Sequence, residues 1–171
     1  YCAGVTPNSP VRNGPGTVGL PVVVGGTAVE SGDLVLGDRD GVVIVPRGHE
    51  YQSHLEHQTT GFTWKTVYGA VGVDAVEKDF IVDGMNEKGL SVNVFYHPGS
   101  AEYPKADSAK RAKTLGSLDV CQYLLTTCAT VDEARQAIAA VTVVGVVEPS
   151  IGIAPPIHLI VTEPSGKAVV I

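Results

Sequence analysis

Charge, sulfur and aromatic rings are all scarce in this chain. Charged residues make up 18% of its 171 positions and aromatics 6%, with three cysteines, one methionine and one tryptophan. The net charge is −6 and the basic residues are scattered. A phosphate backbone needs a clustered basic face, so no nucleic-acid partner is expected. No apolar run approaches the roughly 18 residues that cross a bilayer, and no membrane span is expected. Tyr1, Cys2, Ala3 and Gly4 lack the basic start of a signal peptide. The cysteines have no CxxC spacing and read as buried small hydrophobes. Cys121 and Cys128 stand two helical turns apart, roughly 10 Å by helix rise, which is too far for a disulfide. What the chain does have is 44% hydrophobic residues. At this length a single domain buries roughly 70% of its unfolded surface, so a core is affordable.

Short β-branched runs open the chain. Leu20–Gly25, Asp33–Gly37 and Gly41–Pro46 read as strands separated by Gly-Asp and Asp-Gly turns. No helix is expected before residue 47. Residues 47–66 are polar and without period, and read as a loop anchored by Phe62 and Trp64. Strands return at Tyr68–Asp74, at Phe80–Val82 running into Asp83-Gly84, and at Leu90–Phe95. The last alternates Leu90, Val92 and Val94 against Ser91, Asn93 and Phe95, so residues 68–96 read as an antiparallel meander. Residues 98–116 read as a loop carrying a solvated basic cluster, Lys110, Arg111 and Lys113. Ser117 can cap a helix to about Thr127, with Leu118, Cys121, Leu124, Leu125 and Cys128 on one face. Thr130 with Glu133 is a capping box that starts a second helix. Residues 142–156 read as a connection, and His158–Thr162 with Lys167–Ile171 as a hairpin ending in mid-strand, the pattern of a truncation. Strands, then helices, then strands imply an α+β fold with helices on one face of an antiparallel sheet.

The run Asp83-Gly84-Met85-Asn86-Glu87-Lys88-Gly89-Leu90 resembles the DGMNEKGL turn of the choloylglycine hydrolase and penicillin V acylase family. VVIVPRGHEY at 42–51, FTWKTVYGAVGVDA at 62–75, the paired helices and APPIHLIVTEPSGKAVVI at 154–171 follow in the family's order. The resemblance implies part of the four-layer αββα sandwich of N-terminal nucleophile hydrolases, and hydrolysis of linear amide C–N bonds in a small-molecule substrate. The opening differs. CAGVTPNSPVRNGPGTVGLPVVVGG and VESGDLVLGDRDGVVIVP resemble the C-terminal part of the ribonuclease-activity regulator A and 4-hydroxy-4-methyl-2-oxoglutarate aldolase family. Two units are therefore expected: a β-rich segment over 1–46 and an incomplete hydrolase-like domain over 47–171, joined near Gly41–Arg47. The alternatives are a regulator-like protein-binding module or a metal-dependent aldolase relative, acting through 1–46, and a chimera whose exposed sheet edges aggregate. A homo-oligomer is compatible with this reading, and the compartment stays open between cytoplasm and periplasm.

The family's nucleophile is an N-terminal Cys whose own amine takes the proton. Cys2 follows Tyr1, so its amine is in a peptide bond, and Val18 and Pro21 stand where the family has Arg and Asp. The chain alone is therefore expected to be inactive. One family position carries over: Tyr96 lies where the acylase branch has an active-site Tyr, near the oxyanion hole. His97, beside it, is a candidate substrate contact. Asn86 and Glu87 read as structural turn residues. His54-x-x-His57 lacks a third ligand and reads as polar loop. Asp33, Asp38 and Asp40 read as turn residues, and Gly14, Gly16 and Gly19 do not form a nucleotide loop. No metal or cofactor is expected.

Overall fold

The computed structural model describes residues 20–24, 27–30, 33–37, 42–45, 47–55, 59–75, 80–99 and 101–171. The readings made for Cys2, Gly14, Gly16, Gly19, Asp38, Asp40 and His57 lie outside them. Strands β1 (Val22–Val24) and β2 (Thr27–Val29) pair antiparallel. Strands β3 (Leu34–Gly37) and β4 (Val42–Val45) pair likewise and join one edge of a seven-stranded sheet. Its other members are β7 (Ala70–Asp74), β8 (Ile81–Asn86), β9 (Ser91–Tyr96), β12 (Ile157–Thr162) and β13 (Ala168–Val170). The order is β13-β12-β9-β8-β7-β3-β4, antiparallel at every step except β3–β7, which is parallel.

Helix α1 (Val120–Thr127) packs on β8 and β9, and α2 (Val131–Ala139) follows. Every residue of α1 from Val120 to Thr126 is buried. A helix buried all round needs a second cover, and residues 47–66 provide it. They form a hairpin of β5 (Glu50–Leu55) and β6 (Thr59–Lys65), not the expected loop. The strand signal was masked because one hairpin face is polar and Thr-rich. On the other face Tyr51 stacks on Trp64 at 5.3 Å between ring centroids, and Phe62 and Trp64 meet Tyr123 edge-on. Trp64 Nε1 donates to Thr126 Oγ1 at 3.1 Å, so the ring's one polar atom is satisfied inside the core.

Two other expected loops contain structure. Residues 108–113 form 3-10 turns, β10 (Thr114–Gly116) follows, and β10 pairs parallel with β11 (Thr142–Val144). Strands of three residues are too short to show a period, which is why the sequence hid them. Strand β8 runs straight through Asp83-Gly84, where Gly84 brings the backbone under α1: a Cβ there would stand 2.7 Å from Leu125 Cδ1.

Ser117 is not the cap of α1. That helix begins after Asp119, and the Ser117 hydroxyl accepts from the Val146 N–H at 3.2 Å. Thr130 does cap α2, accepting from the Glu133 N–H at 3.2 Å, while Glu133 reaches back to the Ala129 N–H at 2.6 Å. The sheet face away from α1 exposes Val71, Val73, Met85, Phe95 and Val170.

Candidate functional site

Leu90, Val92, Val94 and Tyr96 share the α1 side of the sheet, because successive strand residues alternate faces. Leu90 and Val92 are fully buried, whereas Tyr96, at the open end of β9, is 58% exposed. Tyr96 borders a cavity of about 220 Å³ whose walls are mainly apolar, with Phe80, Ile81, Val94, Leu118, Ile151 and Ile157 among them. Its polar members are already engaged within the fold. Ser117 holds the Val146 N–H, and the buried Glu148 accepts from the Ser150 N–H at 2.9 Å. The Tyr96 hydroxyl has no hydrogen-bond partner among the described residues. A phenol can both donate and accept, and this one stands at the rim of an apolar hollow.

His97 does not share that hollow. Alternation turns it to the opposite face, where its ring meets His158 edge-on at 5.4 Å and His158 stacks on Phe95 at 5.5 Å. It borders a separate concavity of about 430 Å³ with Glu102, Tyr103 and His158. Ile157 is common to both cavities. The His97 backbone N–H donates to Pro156 O at 2.7 Å, closing the end of the β9–β12 ladder.

Asn86 is structural, for a reason beyond turn propensity. Its side chain is buried and makes four hydrogen bonds: Nδ2 donates to Leu125 O and Cys128 O, and Oδ1 accepts from the Lys88 and Leu90 N–H groups. It thereby closes the β8–β9 turn and ties it to the end of α1, whose last carbonyls have no partner within the helix. Gly89 takes φ +80° in that turn, a conformation that suits glycine. Glu87 pairs with Arg47 at 2.5 Å on the surface.

Neither described cysteine is prepared for nucleophilic work. Cys121 and Cys128 are free and buried. Burial pushes both thiols up, with Asp83 adding to the effect at Cys121 and Glu133 at Cys128. A reactive cysteine needs the opposite shift. No group of three or more His, Cys, Asp or Glu among the described residues could hold a metal ion.

Sequence reasoning missed a cluster beneath the β5–β6 hairpin. Ser53 Oγ donates to Asp119 Oδ2 at 2.7 Å and accepts from the Gly116 N–H at 2.7 Å, and the His54 N–H donates to Asp119 Oδ2 at 3.0 Å. Asp119's carboxyl is raised from its ordinary value by burial, against the lowering by Ser53 and His54. Ser53 is fully buried and its proton goes to the carboxylate, so this is a latch between hairpin and helix and not a nucleophile with a base. Ser53 sat in a stretch read as loop, which is why no signal pointed to it.

The architecture is that of amide hydrolases with a helix-backed antiparallel sheet. Conjugated bile acid hydrolase from Clostridium perfringens, solved as a variant, superposes with TM-score 0.57 at 19% identity, covering 81% of this chain and 46% of that one. Penicillin V acylase from Agrobacterium tumefaciens superposes with TM-score 0.59 at 25% identity, covering 82% of this chain and 39% of that one. The chain belongs to the linear amide C–N hydrolases of the choloylglycine hydrolase family, whose model matches residues 33–171. The Aldolase/RraA family matches residues 1–44. A candidate 4-hydroxy-4-methyl-2-oxoglutarate aldolase of Halalkalibacterium halodurans is 38% identical over 50 residues, 29% of this chain and 24% of that protein. An uncharacterized protein of Paramecium bursaria Chlorella virus 1 is 28% identical over 141 residues, 82% of this chain and 48% of that protein. The chain thus spans less than half the length of each of these relatives. The two family matches overlap at residues 33–44, and β3 and β4 build that overlap into the edge of the main sheet.

Proposed function

We propose that this chain supplies the helix-backed sheet and acyl-binding wall of a hydrolase acting on linear amide C–N bonds in small molecules. The observation that carries the reading is Tyr96, whose hydroxyl has no partner among the described residues, in the wall of the apolar 220 Å³ cavity. An apolar acyl group fills the hollow, and the phenol donates to the amide carbonyl, whose oxygen gains charge during acyl transfer. His97 joins the site where a substrate extends past Ile157, the residue common to both cavities. The nucleophile lies outside the described residues, since both described thiols are buried and shifted the wrong way. In this reading the chain alone binds amides without turning them over. In this reading residues 1–46 are of different family origin, and their strands β3 and β4, where both family matches overlap, lie in the main sheet of 47–171.

Titration calorimetry with penicillin V, the amide named by the acylase relative, tests the reading. Saturable binding without hydrolysis is expected. Tyr96→Phe should weaken it about fivefold, the loss of one neutral hydrogen bond. Equal binding by wild type and Tyr96→Phe would remove Tyr96 from the site, and no binding at all would remove the cavity.

A further inference from the structure

A concavity larger than the one beside Tyr96 lies elsewhere in the fold. It measures about 590 Å³ and lies between the end of β5, the segment 103–111 and β11. That size is within the roughly 300–1,000 Å³ of small-molecule sites. It has two chemically distinct sides. Leu55, Tyr103 and Val144 give an apolar wall, while Lys105 and Arg111 bring two cations to its border. Neither cation has a carboxylate within 4.0 Å among the described residues. The acid at that border, Asp107, is already committed. Its Oδ1 accepts from the Ala109 N–H at 2.9 Å, and its Oδ2 lies 3.6 Å from Lys110 Nζ, outside the cavity lining.

The apolar wall is held by the fold. The Tyr103 hydroxyl donates to Pro155 O at 2.8 Å and accepts from the Ile157 N–H at 3.3 Å. Gly145 lies directly against its ring, where a Cβ would stand 2.8 Å from Cδ2. Tyr103 is therefore fixed by bonds at its far end and by backbone at its side.

We infer that this cavity binds a small amphipathic carboxylate, with the anion on Arg111 and Lys105 and the hydrocarbon body against Tyr103, Leu55 and Val144. Arg presents a planar fork that matches a carboxylate in two parallel hydrogen bonds, and Lys adds a point charge. Two cations without a carboxylate partner among the described residues, beside a hydrocarbon surface, favour a ligand that carries both features over a bare anion or a neutral chain. The site contains no residue of the Tyr96 cavity, and it shares only Tyr103 with the concavity that His97 borders.

Calorimetric titration of the full chain with octanoate, octanol and inorganic phosphate tests this. Octanoate should bind at one site, more weakly as salt is raised. Arg111→Gln should weaken it about tenfold, the loss of a charge-assisted pair, and Lys105→Gln should weaken it by a smaller factor. Lys113→Gln, a neighbouring cation that does not border the cavity, and Tyr96→Phe should leave it unchanged. Far-UV circular dichroism melts of the variants verify that each is folded. Octanol binding as tightly as octanoate overturns the role of the cations. Phosphate binding as tightly as octanoate overturns the role of the apolar wall. Equal losses in Arg111→Gln and Lys113→Gln reduce the effect to general surface charge, and loss in Tyr96→Phe moves octanoate to the other cavity.

Discussion

Replacing Asn86 by Ala removes four hydrogen bonds at one buried point. Each intramolecular hydrogen bond contributes about 1 kcal/mol net, so the bonds alone amount to about 4 kcal/mol. The residue is 5% exposed, and the carbonyls of Leu125 and Cys128 lose a donor that Ala cannot replace. A domain of this kind has about 5–15 kcal/mol in total, so the variant should be marginally folded. Urea unfolding followed by Trp64 fluorescence reads this directly. Trp64 is the only tryptophan, and it is buried between Tyr51 and Tyr123, the latter on the helix that Asn86 ties down. Asn86→Asp is isosteric but turns both donors into an acceptor facing two carbonyl oxygens, and it should be at least as damaging at neutral pH. A loss below about 1 kcal/mol in Asn86→Ala, with unchanged slope, would refute the claim that this side chain joins turn and helix.

Asp119 gives a pH test. Its folded-state carboxyl is raised above 3.8, chiefly by burial, so the folded chain holds the proton more tightly than the unfolded one. That contribution is complete below the unfolded value and is lost as pH rises through the folded one. The stability of wild type relative to Asp119→Asn should therefore fall as pH rises from 3.8 and then level off; a difference that grows with pH over that window contradicts the assignment. Gly84→Ala should cost about 1–3 kcal/mol by urea melt, because the new methyl meets Leu125 Cδ1 and Val71 O below 3.0 Å. An unchanged midpoint would mean that α1 is free to lift from β8. Thiol titration under native conditions should find Cys121 and Cys128 protected and reactive only in denaturant. Labelling of either in the folded protein would contradict their burial.

Periodicity made the meander and both helices legible. Strand β9 alternates cleanly, and Thr130 marks the start of α2 by capping the Glu133 N–H, with the Glu133 carboxylate reaching one residue past the cap to the Ala129 N–H. What stayed hidden was polar or short. The β5–β6 hairpin buries one aromatic face and leaves Thr and charged residues on the other, and its register shifts between Gln52 and His54, which breaks the alternation. Strands β10 and β11 exist because they pair with each other, and three residues carry no period of their own. The strand read at Phe80–Val82 continues through Asp83-Gly84 to Asn86, with glycine where the backbone packs against Leu125. At the candidate site, Tyr96 is proposed from its position after the DGMNEKGL run, while the apolar cavity beside it depends on residues as distant as Phe80 and Ile151. Adjacency in sequence put Tyr96 and His97 together, and strand alternation separates them.

The central claim is that an amide ligand sits beside Tyr96. Backbone amide NMR of the chain titrated with penicillin V tests it most directly. The account expects saturable shifts confined to residues lining the Tyr96 cavity, such as Ile81, Val94, Tyr96, Leu118, Ile151 and Ile157. Shifts confined to 103–111, or scattered without saturation, would contradict it.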